Sequence, residues 1–262
     1  ISGGSRMKLN YYLKIIFPIS IILVTNFAFA AGDAPVPPKR QWSFNGMFGT
    51  FERDKLQRGF KVYQEVCASC HSLKYINFRN LTEIGFTNDE AKFIASQATV
   101  PGGIDDEGEA FERPGRLSDP LPRPFPNDNA ARAANGGALP PDLSLITKNR
   151  NYGPNYIFAL LTGYVDPPDG YELSPGMSYN EWYPGHQIAM ASPLSDEIVD
   201  YPDGTKATIS QMAEDITHFL HWAANPELEE RHSLGFQVLI FLTLLTVLFW
   251  FVKRAVWRKI DH

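Results

Sequence analysis

The stretch YQEVCASCHSLKY, residues 63–75, holds both cysteines of the 262-residue chain, spaced as Cys67-x-x-Cys70 with His71 directly after them. With no other cysteine available, a disulfide framework is excluded. Three chemistries use such a pair: a redox dithiol, a zinc site and covalent haem attachment. A thioredoxin-like dithiol follows a strand and opens a helix. Here the preceding FERDKLQRGFKVYQEV reads as helix, with Leu56, Phe60, Tyr63 and Cys67 on one face. A structural zinc site needs four ligands, and the histidines at 71, 186, 218, 221 and 232 show no paired ligand spacing with the cysteines. C-x-x-C-H is the attachment signature of c-type haem. Cys67 and Cys70 form thioethers to the vinyl groups, and His71 falls under the iron as its proximal ligand. The motif occurs once, so one covalent haem c is expected.

Two apolar segments bracket the chain. The first, MKLNYYLKIIFPISIILVTNFAFAAGD, has a short positive start at Lys8 and Lys14, an apolar run at 15–27 and an A-x-A pattern at Ala28–Ala30. It reads as a secretory signal peptide that begins at Met7, with ISGGSR before it as an extraneous remnant or a misplaced start. It lacks the Arg- and Ser-rich look of a mitochondrial transit peptide, so bacterial export is expected. The second, residues 234–252, has Gln237 as its strongly polar side chain and spans roughly 29 Å as a helix, about one hydrocarbon layer. Trp250 and Trp257 lie near its end, and Lys253, Arg254, Arg258 and Lys259 follow. By the positive-inside rule that end is cytoplasmic. The intervening chain then lies outside the cytoplasmic membrane, on one C-terminal transmembrane anchor. The net charge of −5 argues against nucleic-acid binding, and the 20 glycines and 20 prolines announce long loops.

The iron's second axial ligand is sought downstream among Met177, Met190, Met212, His186, His218, His221 and His232. Met212, His218 and His221 fall on an amphipathic stretch, 209–224, where helix packing explains them. Met177 and Met190 both lie in turn-rich loops. Met190, between Ala189 and Ala191, offers the closest approach to a flat macrocycle, and the residue chemistry leaves Met177 and a histidine open. A methionine–histidine pair raises the reduction potential. Gly59 and Tyr63, eight and four residues before Cys67, suit a close crossing of this helix with the 209–224 helix. The latter offers Met212, Ile216, Phe219, Leu220 and Ala223 on one face.

From Arg58 onward the chain resembles the cytochrome c1 family, the haem subunit of the ubiquinol–cytochrome c reductase (cytochrome bc1 complex). The motifs that carry the resemblance run in order: RGFKVYQEVCASCHSLKYINFR, ANGGALPPDLSLI, YIFALLTGYVDPP, YPGHQIAMASPL and DGTKATISQMAEDITHFLHWAANPE. The resemblance implies iron ligation by His71 and Met190. It also implies haem contacts from Asn135, Pro140, Pro141, Arg150 (with a propionate), Tyr156, Leu160, Tyr183 and Ile188. Partners implied are cytochrome b, the Rieske iron–sulfur protein, a cytochrome c and the lipid bilayer. Segment 101–129 is read as loop-like. Its carboxylates Asp105, Asp106, Glu107, Glu109 and Glu112 form either a solvated surface or a docking face for a basic cytochrome c.

The expected fold is mostly α: a c-type cytochrome haem domain with long loop insertions and one C-terminal transmembrane helix. The expected divisions are a signal peptide at 1–30, a periplasmic haem domain at 31–231 and an anchor with a basic cytoplasmic end at 232–262. The expected site is the bacterial inner membrane. The expected role is one-electron transfer from the Rieske protein to a soluble or tethered cytochrome c, as a reductase subunit without a turnover site of its own. A free membrane-tethered cytochrome c shuttle is the alternative. A haem peroxidase or sensor, which wants an open axial position, is disfavoured by Met190.

Overall fold

The computed structural model describes residues 35–258, so the signal-peptide reading at 1–30 lies outside the described residues. In chain order the helices are α1 (Arg53–Glu65), α2 (Asn88–Gln97), α3 (Asp128–Ala134), α4 (Ile146–Asn149), α5 (Pro154–Thr162), α6 (Ile209–Ala224) and α7 (Leu228–Trp257). The strands are β1 (Thr99–Ile104), β2 (Ala110–Pro114), β3 (Ser178–Tyr179) and β4 (Gln187–Ile188). Helices dominate, as expected.

The core is the crossing of α1 and α6. Leu56, Phe60 and Tyr63 recur at helical spacing and are buried, facing Met212, Ile216, Phe219, Leu220 and Ala223 of α6. Each buried leucine, isoleucine, phenylalanine or methionine among these stabilises the fold by about 1.5–3 kcal/mol relative to leaving it exposed. Gly59 sits at the point of contact, where a Cβ would lie 2.6 Å from the Phe219 Cβ. Beside it, the Arg58 guanidinium grips the fully buried Asp215 carboxylate through two bonds of 3.0 and 3.1 Å and reaches Asp203 at 2.7 Å. Thr208 starts α6 by accepting from Gln211 N at 3.2 Å.

The segment before α1 straps across α5 and α6. Trp42 donates to Asn155 Oδ1 at 2.8 Å, and Arg40 pairs with Glu214 at 2.9 Å. Trp42 meets the His218 ring edge-on at 5.2 Å, and Phe44 stacks on the His221 ring at 4.2 Å.

Residues 74–135 pack on the far side of α1 through a 3-10 helix, Phe78–Ile84, that buries Phe78, Leu81 and Ile84. Thr87 and Glu90 close α2 with a reciprocal capping box. The loop expected at 101–129 is in part a hairpin: β1 and β2 pair antiparallel, with an irregularity between Pro101 and Gly103. Asp105 closes its tip by accepting from Glu107 N at 3.1 Å and Glu109 N at 2.8 Å. α3 follows within the same segment.

The apolar segment expected at 234–252 lies inside α7, a 30-residue helix whose most apolar window, with a mean hydropathy of 2.3, has no buried residue. It is a single C-terminal membrane-anchor helix. The helix begins before the apolar run: α7 starts at Leu228, where Leu228 is buried against the domain and Glu229 is held by it.

Gly59→Ala places a methyl group in the crossing. We expect equilibrium denaturant unfolding of the full chain to lose about 1–3 kcal/mol, the cost of overpacking a tight core. A surface exchange such as Lys92→Ala, on the exposed side of α2, serves as the neutral comparison.

Candidate functional site

The cysteine motif is built on the end of α1. After Glu65 the chain tightens into a 3-10 turn, Cys67–Ser69. The Cys67 carbonyl accepts from both Cys70 N at 3.1 Å and His71 N at 2.9 Å. This folds Cys67, Cys70 and His71 onto one turn. Both cysteines are free and half-buried, and Cys67 packs against the core. The Tyr63 hydroxyl donates to the His71 carbonyl at 3.1 Å, tying α1 to the motif's last residue.

His71 is oriented from a distant segment. Its Nδ1 lies 2.8 Å from the Pro141 carbonyl. A carbonyl only accepts, so Nδ1 carries the proton and Nε2 presents its lone pair. Burial pulls the imidazole pKa below its ordinary value, against the Pro141 carbonyl and Asp142, and the ring is neutral near pH 7. Pro141 is held in turn by its neighbour. The Asp142 carboxylate accepts from Ser72 Oγ at 2.7 Å, Lys74 N at 3.0 Å and Ser144 N at 3.0 Å. Leu143 N adds a bond to the Ser72 carbonyl at 2.9 Å. Burial works against the Asp142 charge, yet the donors around it hold its pKa below the usual carboxylate value.

A second group forms around Tyr156. Arg150 and the Tyr183 phenol both act electrostatically on the buried Tyr156 hydroxyl, whose pKa is raised mainly by burial. Tyr164 joins them, its hydroxyl buried without a hydrogen-bond partner. Arg150 makes one long bond, 3.5 Å, to its neighbour's carbonyl, and no carboxylate pairs with it among the described residues. The fully buried Asn180 braces this group: it donates to the Leu160 carbonyl at 2.8 Å and accepts from Trp182 N and Tyr183 N. Ile188 is buried in β4, opposite Ser178 of β3. Asn135 uses its amide to close its own helix, donating to the Ala131 carbonyl at 2.7 Å, and Pro140 is half-buried just before Pro141.

The axial candidates part company. Met212 is fully buried between α6 and α1, and His218 and His221 are packed under Trp42 and Phe44. His232 lies 3.1 Å from the Gly49 carbonyl and His186 lies 3.2 Å from the Asn180 carbonyl, each through Nδ1. Met177 is 39% exposed in a turn, whereas Met190 is half-buried just beyond β4.

Comparisons with known proteins identify the family of the chain. The model of the Cytochrome C1 family matches residues 42–260. The chain is 50% identical over 224 residues to the mitochondrial cytochrome c1 haem protein of Schizosaccharomyces pombe, covering 86% of this chain and 73% of the relative. It is 45% identical over 240 residues to cytochrome c1 of Rhodospirillum rubrum, covering 86% and 88%. It is 50% identical over 227 residues to the mitochondrial cytochrome b-c1 complex catalytic subunit of Candida albicans, covering 86% and 79%.

The chain belongs to the cytochrome c1 family.

For this cytochrome c1 family member, the residues present fit a covalent haem c. Two free thiols share one turn with an imidazole whose Nε2 is unprotonated. The buried, unpartnered Tyr164 hydroxyl and the carboxylate-free Arg150 suit the polar edge of such a group. Among the described residues no group of His, Cys, Asp and Glu side chains converges on a bare metal ion. Two residues that position the site went unread in the sequence, Asp142 and Asn180. Asp142 carried a weak signal, since an aspartate after two prolines forms a turn with the residue two ahead. Asn180 carried the same weak signal, a bond from the residue two ahead, while its bond to the Leu160 carbonyl left no local trace.

Removing the Asp142 carboxylate strands three donors. Asp142→Ala is expected to cost about 1–3 kcal/mol in denaturant unfolding and to broaden the Soret band as Pro141 loosens. Asp142→Asn, which keeps an acceptor oxygen, recovers part of both.

Proposed function

We propose that the chain is the electron-carrying haem subunit of a ubiquinol–cytochrome c reductase, taking single electrons from the Rieske iron–sulfur protein and passing them to a cytochrome c. The observation that carries the reading is the carbonyl-oriented His71 on the C-x-x-C turn of a cytochrome c1 family chain. When bound, haem c supplies a one-electron iron(III)/iron(II) couple. The chain's own work is to hold and tune that couple, and no nucleophile or acid–base pair takes part. His71 and Met190 are the proposed axial ligands. Cys67 and Cys70 are the attachment points, and Asn135, Pro140, Pro141, Tyr156, Leu160, Tyr183 and Ile188 line the group. Arg150 answers a propionate with a planar guanidinium fork. The uses already found for Met212 and the histidines after residue 71, and the exposure of Met177, support Met190.

The proposed domain scheme is a signal peptide at 1–30, a periplasmic haem domain at 31–231 and an anchor at 232–262, in a bacterial inner membrane. The A-x-A pattern at the start and the basic cluster after α7 support it. The relative titled as a cytochrome b-c1 complex subunit supports assembly with cytochrome b. Against the free-shuttle reading stands the junction of domain and anchor. A shuttle wants a flexible linker, and here Glu229 of α7 is bound by Phe51 N and Arg53, each at 2.6 Å.

Met190→Leu is expected to keep haem that survives denaturation, lose the low-spin ferrous spectrum and lower the midpoint potential sharply. An unchanged midpoint in redox titration would move the ligand to Met177 or a histidine.

The acidic hairpin tip is the proposed docking face for a basic cytochrome c. Because Asp105 is spent on closing the turn, the charges to neutralise are Asp106, Glu107, Glu109 and Glu112. Stopped-flow transfer from the reduced parent should slow as salt rises, since the Debye length falls from about 30 Å at 0.01 M to about 10 Å at 0.1 M. The quadruple amide/alanine variant should be slower at low salt and nearly salt-independent. The parent's rate and slope in that variant would leave the tip a solvated surface.

A further inference from the structure

An apolar turn, residues 43–50, serves neither the haem site nor the electron partners. Thr50 N closes it on the Ser43 carbonyl at 3.0 Å, and Gly49 N tightens its tip on the Gly46 carbonyl at 3.3 Å. The tip has no room for a side chain at Gly49, where a Cβ would lie 2.6 Å from the Asn45 carbonyl oxygen. Gly46 takes a φ of 82°, a left-handed conformation glycine adopts freely. This rigid loop ends in two large apolar side chains that water should not favour: Met47 is 57% exposed and Phe48 75%.

What lies beside the turn decides its occupant. Contacts with α7 advance in order. Arg53 and Phe51 hold Glu229, the Gly49 carbonyl accepts from His232, and Phe48 meets Phe236 edge-on at 5.9 Å. As the loop runs back from 53 to 48, its partner on the anchor moves from 229 to 236. The loop therefore descends alongside α7 toward the membrane. The polar contacts stop at His232, and the aromatic one begins just past Leu234, where the apolar run starts. Phe236 lies roughly 3 Å into that run at 1.5 Å per residue. The exposed faces of Met47 and Phe48 are thus continuous with the lipid-facing surface of α7.

We infer that Met47 and Phe48 enter the outer edge of the bilayer's acyl layer, a second membrane contact beside the anchor. A single helix leaves the domain it carries free to tilt against the membrane surface; a second point of insertion restricts that tilt. The chemistry is that of interfacial anchoring, with apolar side chains carried on a polar backbone turn.

The test uses the full haem-loaded chain in phosphatidylcholine–phosphatidylglycerol nanodiscs. With Cys67 and Cys70 consumed by thioethers, Met47→Cys, Phe48→Cys and Ile104→Cys each add one labelling site for an environment-sensitive fluorophore. Ile104, 72% exposed on the hairpin, is the water-facing reference. Labelling of the parent chain would report on haem attachment and leave the turn to be read by difference. Labels at 47 and 48 should emit to the blue of the Ile104 label and be quenched severalfold more by lipid carrying a nitroxide near the headgroup. Quenching equal to that at Ile104 would place the turn in water and overturn the inference. A blue shift without lipid quenching would also overturn it, by showing that protein covers the turn.

Discussion

Everything downstream of residue 58 hangs on how closely α1 can approach α6. Gly59 removes the side chain that would hold the helices apart, and Phe219 fills the space on the other side. The closeness has a cost. It buries Asp215 completely, a carboxylate that Arg58 meets with a two-bond fork and Gln211 with a further bond. The polar pair fixes the angle and register of a crossing that apolar packing alone would leave degenerate. Because the cysteine turn follows directly from the end of α1, the same crossing fixes where the thiols and His71 point.

The site then depends on two polar hubs of different kinds. Asp142 gathers donors from residues 72, 74 and 144, so that a segment far along the chain presents one carbonyl to one imidazole nitrogen. Asn180 gathers the end of α5 and the loop that leads to Met190. Neither hub touches the motif's cysteines. They turn loops rich in glycine and proline, which have no packing of their own, into fixed walls.

These physical roles explain what could be read in advance. α1 and α6 were legible because burial on one side of a helix writes a period into the sequence, and Leu56, Phe60, Met212 and Phe219 follow it. The anchor was legible from composition, though its start was not, since residues 229–232 are polar and are held to the domain by Arg53, Phe51 and Gly49. The hairpin at 99–114 was hidden by Pro101, Gly102 and Gly103, residues that ordinarily argue against a strand. Of the site residues, Cys67, Cys70 and His71 declare themselves by spacing, and Tyr156 and Ile188 are buried. Beside their local turn bonds, Asp142 and Asn180 reach partners remote in sequence, Ser72 and Lys74 for the first and Leu160 for the second, and local pattern does not carry that information.

The long reach of the His71 hydrogen bond also sets an order of events in time. The C-x-x-C-H turn is complete within five consecutive residues, needing only the local bonds from Cys70 and His71 to the Cys67 carbonyl. The carbonyl that selects the imidazole's proton arrives from 70 positions away, and such a closure is entropically slow to reach. A newly made chain therefore displays its attachment motif while the rest of the pocket is still unformed. The group that joins it can be stitched on in the open and serve as the nucleus on which the later walls close.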